Sequence, residues 1–313
     1  MNKREFIWYE KYRPQKLKDC VLPKDIKKTL KAAVKNGNVQ NLIFAGGPGR
    51  GKTTAAMAML NDIGSPYFIV NGPLDVNMDL LRNDITQFAS SMSVTGKRKY
   101  VIIDEADYLN SHIQPSLRNF IEQYSATCGF IFTCNYKDKL IDPIFSRLPV
   151  IDFNYPNEEK QDLAKQIIQM LVKIMEAEGV AYDIKVVAQL VLKNFPDMRR
   201  MINEIQKYAQ ANELTIDAGI LRDISTEDIN KLIELLKAKN FTEIRRWVAN
   251  IDKDDITIFN TLYELAPNYM QTASIPALVL LISKYMYQSA FAANKQINLL
   301  AFLVEVMIEV QFK

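Results

Sequence analysis

The 313-residue chain has a single histidine, His112, and three scattered cysteines, Cys20, Cys128 and Cys134, with no C-x-x-C pair. A histidine-based metal centre is excluded, a zinc site is not expected, and the thiols suit a reducing cytosol. Charge of one sign is also scarce: 39 basic and 36 acidic residues leave a net +3. A protein that wraps DNA through a general positive field would be more basic. Any DNA contact must therefore be local or shared across an oligomer. Long apolar runs are missing too. The longest late one, residues 299–310, is interrupted by Glu305 and Glu309 and is too short and too charged to cross a bilayer. The first residues carry no apolar signal segment, so the expectation is no membrane and a cytoplasmic location. No internal repeat or low-complexity tract is visible. What is present, 48% hydrophobic and 24% charged residues, suffices for a sizeable core and two or three domains.

Residues 46–53 read Gly-Gly-Pro-Gly-Arg-Gly-Lys-Thr and fit the phosphate-loop pattern G-x-x-x-x-G-K-[ST] at every fixed position. Gly46, Gly49 and Gly51 let the backbone curl so that N–H groups point at a polyphosphate. Gly47, Pro48, Arg50 and Thr54 complete the loop and its exit. Lys52 supplies a point charge to the β/γ oxygens and Thr53 a hydroxyl to Mg²⁺. The apolar run 41–45 precedes the loop and a helix follows, closing near Gly64, so the helix N-terminus faces the anion. A chance match in a glycine-rich loop is the bland alternative.

About fifty residues on, a buried strand over 100–104 ends in Asp104 and Glu105. Asp104 is placed to hold the Mg²⁺ hydration shell, and Glu105 to orient and deprotonate a water. The bland alternative is a solvated acidic turn. The letters Asp104-Glu105-Ala106-Asp107 also occur in helicases, but those need a second strand-rich motor domain, and the rest of the chain has none. Asn135 ends the next strand, 130–134, where it can reach a γ-phosphate or the attacking water. Arg147 precedes the last strand, 150–153, in a position suited to an arginine finger that reaches a neighbouring subunit.

Phosphate loop, Asp-Glu strand, strand-end Asn and Ser146-Arg147, in this order, resemble an AAA+ ATPase. Residues 8–14, Trp-Tyr-Glu-Lys-Tyr-Arg-Pro, are similar to the opening of sliding-clamp loader subunits, as are 81–88 and 114–118. Residues 193–197 and 217–221 look most like the large-subunit family of T-even-type bacteriophage clamp loaders. Two positions depart from the pattern: Leu148 stands where the family often has Cys, and Pro196 where it has Gly. The resemblance implies a P-loop ATPase using ATP and Mg²⁺, with a sliding clamp, a small loader subunit, further copies of itself in a hetero-oligomer and primer–template DNA as partners, in the host cytoplasm if phage-encoded. It adds Tyr12, Arg13 and the lid residue Arg199 to the ATP contacts. Arg200, about 100° around the helix from Arg199, then faces elsewhere. Arg82 resembles a phosphate-contacting arginine, and Asn110, Ser111 and His112 precede a helix whose N–H groups could cradle a DNA phosphate. Against these stand a surface arginine and an ordinary N-cap. Met92 and Val94 resemble the apolar plug offered to a clamp, whereas Phe88 is read as core. A helicase-type or remodelling motor of the same fold, and a non-hydrolysing scaffold subunit, are the competing functions.

The expected fold is α/β: a five-stranded parallel sheet over 1–155, an all-helical lid over 156–227 and an all-helical collar over 228–313. The strands are expected at 41–45, 67–71, 100–104, 130–134 and 150–153, and lid helices at 157–178, 184–194 and 198–212. Ser225 or Thr226 caps the first of five collar helices. The apolar stretch 277–282 implies burial on more than one face, in part against neighbouring subunits.

Overall fold

The computed structural model describes residues 6–37, 39–72, 83, 85–91, 93, 96–109, 113–221, 224–250, 255–289 and 291–313. Five parallel strands form one sheet: β1 Leu42–Ala45, β2 Tyr67–Asn71, β3 Lys99–Asp104, β4 Cys128–Cys134 and β5 Val150–Asp152, in the order β2-β3-β4-β1-β5. The central strands β1, β3 and β4 read as near-continuous apolar runs because both faces are covered, whereas the edge strands β2 and β5 are partly exposed. Alternate residues divide between two cores. Ile43, Val101, Ile103, Phe130 and Phe132 pack on one side. Phe44, Tyr100, Ile102 and Ile131 pack on the other, against the helices that flank the phosphate loop. Leu148, at the position where a cysteine is more usual, is fully buried in the first of these cores. Phe88 packs against the same core, its ring 5.7 Å from that of Phe68.

Among the described residues the α-helices before the lid are α1 Trp8–Lys11, α2 Lys24–Lys35, α3 Lys52–Ile63, α4 Thr86–Ser90, α5 Gln114–Gln123 and α6 Asp142–Phe145. The lid comprises α7 Lys160–Ala177, α8 Ile184–Asn194 and α9 Met198–Ala211. A 3₁₀ turn over Asn157–Glu159 precedes α7, so the α-helix expected from residue 157 begins at Lys160. Asp183 caps α8 by accepting from the Lys185 amide at 2.8 Å, and Asp197 caps α9 from the Arg200 amide at 2.9 Å. The lid is not wholly helical. Ala181–Tyr182 and Thr215–Ile216 pair as a two-stranded parallel ladder, β6 and β7. Segments this short carry no apolar alternation, which is why the sequence pattern does not reveal them.

The chain divides into two compact units, residues 1–220 and 221–313. The second consists of α10 Ile224–Lys237, α11 Phe241–Asn250, α12 Asp255–Tyr269, α13 Ile275–Ser289 and α14 Lys295–Glu309. It starts before residue 228, and Ser225 and Thr226 lie in the first turn of α10 instead of capping it. Its core is a single apolar cluster centred on the Phe259–Phe302 pair, whose ring centroids lie 4.6 Å apart. In the 277–282 stretch, Leu278, Leu281 and Ile282 face this core, while Leu280 is 73% exposed.

Candidate nucleotide site

The strand register assembles the site. β1 and β4 pair with Ala45 opposite Cys134, so the glycine loop and Asn135 leave the sheet side by side, and the Gly46 amide donates to the Cys134 carbonyl at 3.1 Å. Gly46, Gly49 and Gly51 have φ of 149°, 67° and 81°, values that side chains rarely tolerate. The curled loop surrounds the Lys52 ammonium. Its Nζ donates to the Gly46 and Gly47 carbonyls at 2.7 and 2.9 Å and to Asn135 Oδ1 at 2.8 Å. Burial pushes the Lys52 pKa down to about 8, opposed by the nearby Asp104, Cys134 and Asp107.

Thr53 and Asp104, 51 residues apart in sequence, are in contact: the threonine hydroxyl donates to Asp104 Oδ1 at 2.6 Å. The same oxygen accepts from the Thr133 hydroxyl at 2.5 Å, and the Thr133 oxygen accepts from the Glu105 amide at 3.1 Å. Thr133 therefore ties the two acidic residues to β4. It was not singled out from the sequence, although it is the one hydroxyl in an otherwise apolar strand. Glu105 itself has φ 54°, a left-handed backbone for a non-glycine residue. Such strain of about 1–3 kcal/mol persists where surrounding structure imposes it and is concentrated at functional sites. Here Gly72 packs directly on the turn: a Cβ at that position would lie 2.6 Å from the Glu105 carbonyl oxygen.

Among the described residues no group of three His, Cys, Asp or Glu side chains could hold a metal. One hydroxyl and one carboxylate in contact nonetheless fit Mg²⁺, a hard cation that keeps waters and takes its remaining ligands from substrate phosphates.

A cleft runs from this cluster to the lid. Its walls include Gly49–Thr54 and Asp104, then Val21 and Leu22, then Met170, Met198 and Ile202 of the lid. Tyr9, Tyr12, Arg13 and Arg199 also line it, with the Arg199 guanidinium 5.4 Å from the Tyr9 ring centre. Arg200 points elsewhere, pairing with Glu204 at 2.8 Å. The apolar wall residues Val21, Met170 and Ile202 carried no sequence signal, because the cleft is built from segments far apart in the chain, and Tyr9 is marked only as part of the 8–14 stretch. The loop touches the lid directly: the Met198 amide donates to the Gly49 carbonyl at 3.1 Å. The Tyr12 hydroxyl donates to Glu178 at 2.6 Å, and Arg13 lies against the Met57 sulfur. The Arg50 side chain turns out of the cradle to the Phe153 carbonyl and Asn154, leaving only its backbone to face a phosphate.

Arg147 is not brought to this cluster. Its Nε and Nη2 donate to Glu122 on α5, and Nη1 donates to the Pro143 carbonyl and Ser146 Oγ, each at 2.8 Å. Arg82, Met92, Val94, Asn110, Ser111 and His112 lie outside the described residues.

Residues 42–155 match the family model of the ATPase family associated with various cellular activities (AAA), and residues 159–222 match that of the sliding-clamp-loader large subunit, AAA+ ATPase lid domain. Sheet, phosphate loop and lid thus define an AAA+ ATPase. The chain is 35% identical to the sliding-clamp-loader large subunit of Enterobacteria phage T4, over 100% of this chain and 99% of the phage protein. It is 34% identical to the same subunit of Escherichia phage RB69, over 100% and 99%. Accordingly, it belongs to the sliding-clamp-loader large-subunit family and is a clamp-loader ATPase of DNA replication. Membership implies a clamp and other loader subunits as partners. The replication factor C small subunit of Sulfurisphaera tokodaii is 35% identical over 77% of this chain and 74% of its own length. Thermotoga maritima RuvB shares the fold alone, with a TM-score of 0.53 at 19% identity over 87% of this chain and 85% of that one. Among the described residues no helix is long and apolar enough to cross a membrane.

Proposed function

We propose that the chain binds ATP with Mg²⁺ in the loop–lid cleft and, with further copies of itself and a small partner subunit, forms a spiral that opens a sliding clamp and grips primer–template DNA. Bound Mg²⁺, held by Thr53 and Asp104, would screen the phosphate charge. Lys52 and the loop amides hold the β/γ oxygens, Asn135 faces the γ-phosphate and Glu105 takes the proton from the attacking water. The lid over 156–227 covers the nucleoside through Arg199, and the helical region 228–313 serves as the collar that joins subunits. Arg147 completes the site of a neighbour. The γ-phosphate stabilises only the closed spiral, so its loss shifts the population towards release. Arg82 and residues 110–112 are assigned to DNA, and Met92 and Val94 to the clamp.

One observation carries this reading: Thr53, Asp104, Lys52 and Asn135 converge beside a strained Glu105 under a lid that contacts the loop. The test is steady-state ATPase of the assembled loader with and without clamp and primer–template DNA. Stimulation requiring both supports the reading. A rate indifferent to both would leave an AAA+ ATPase with another task.

A further inference from the structure

The N-terminal segment, residues 6–14, is tied to the lid by one buried side chain. Gln206 on α9 is 9% exposed and uses both ends of its amide. Its Nε2 donates to the Phe6 carbonyl at 2.7 Å, and its Oε1 accepts from the Trp8 amide at 3.0 Å. One helical face links this clasp to the cleft. Arg199 and Ile202 precede Gln206 by seven and four residues, and both line the cleft. A second tether lies at the end of α7, where Glu178 accepts from Lys11 Nζ and from the Tyr12 hydroxyl, each at 2.6 Å. The segment held in this way contributes Tyr9, Tyr12 and Arg13 to the cleft wall, beyond the phosphate loop. Its position is thus set by the lid.

We propose that Gln206 is a positioning residue for nucleoside recognition: by holding the backbone of residues 6–8 against α9, it fixes the Tyr9–Arg13 wall at the nucleoside end of the cleft. This rests on the assignment of the cleft to ATP. The contacts that hold Lys52 in the phosphate loop, to Gly46, Gly47 and Asn135, involve neither Gln206 nor residues 6–8, so the two halves of the ligand should respond differently when the clasp is removed.

The test compares equilibrium binding of Mg-ATP and of inorganic tripolyphosphate to the full chain, together with steady-state ATPase of the assembled loader. Gln206→Ala should weaken ATP about tenfold, the effect of losing roughly two buried neutral hydrogen bonds. Tripolyphosphate affinity should stay within about twofold, and KM should rise while kcat holds, because the nucleoside contact is lost equally from the ground and transition states. Gln206→Glu keeps the acceptor for the Trp8 amide but sets an oxygen against the Phe6 carbonyl, and should be equally weak. Glu178→Gln, at the more exposed second tether, should give a smaller shift of the same kind and keeps the test open if Gln206→Ala does not fold. Equal losses for both ligands would reduce Gln206 to a general stabiliser and overturn the proposal. Wild-type protein that bound tripolyphosphate as tightly as ATP would overturn the nucleoside assignment itself, whatever Gln206 does.

Discussion

Glu105 and Lys52 show how much at this site depends on single side chains. Glu105 has a left-handed backbone, and its amide is held by Thr133, whose hydroxyl also holds Asp104. An amide in place of its carboxylate keeps the shape but cannot take a proton. Glu105→Gln is therefore expected to retain ATP binding while hydrolysis falls roughly 10²- to 10⁴-fold, read by paired binding and turnover assays. ATP turnover at the parental rate would remove the base from this residue. Lys52 titrates at about 8 because it is buried, so its cation is intact at neutral pH and disappears as the pH rises. Only the cation attracts phosphate. A pH profile of kcat/KM for ATP should be flat below this value and fall by roughly tenfold per unit above it, since that parameter reports the free protein.

At the scale of elements, the phosphate loop and α9 are built against each other. Gly49 has φ 67°, and a Cβ there would lie 1.7 Å from Asp197 Oδ1, the oxygen that caps α9. Gly49→Ala must displace the cap as well as strain the loop, whereas Asp197→Ala loses a cap worth about 1 kcal/mol. Combined, the two should cost less than the sum of the singles, because removing the carboxylate also removes the clash. Thermal melts of the four proteins in the cycle check this. Strict additivity would mean that loop and lid do not touch in solution.

Across the whole molecule, the proposed role of Arg147 distinguishes one chain from an assembly. In the single chain its guanidinium is engaged by Glu122, Pro143 and Ser146, and it makes none of the phosphate-loop contacts. Arg147→Ala is accordingly expected to leave the ATP affinity of the unassembled chain unchanged and to lower ATPase only in the loader, with arginine fingers worth about 10³–10⁵ in rate where measured elsewhere. An equal defect in the lone chain would place Arg147 in its own site. In the second unit Leu280, Tyr287, Phe291 and Ile308 are each more than 70% exposed.

The sequence by itself determined the strands of the sheet, the phosphate loop with the helix that follows it, the Asp-Glu strand end and the three lid helices. Each depends on spacing within a few residues, which backbone geometry converts directly into a turn, a strand face or a helix stripe. Helix geometry let only one of Arg199 and Arg200 reach the cleft, and the resemblance to clamp loaders pointed to Arg199. The tertiary structure alone decided which distant groups meet. Thr133 links Asp104 to Glu105 across two strands, Arg50 turns away from the cradle, and Arg147 pairs with Glu122 25 residues before it. Trp8 reaches Gln206 across 198 residues of chain. No local pattern encodes such pairs, because they arise only when separate apolar faces pack together and bring polar groups of distant segments within hydrogen-bond reach.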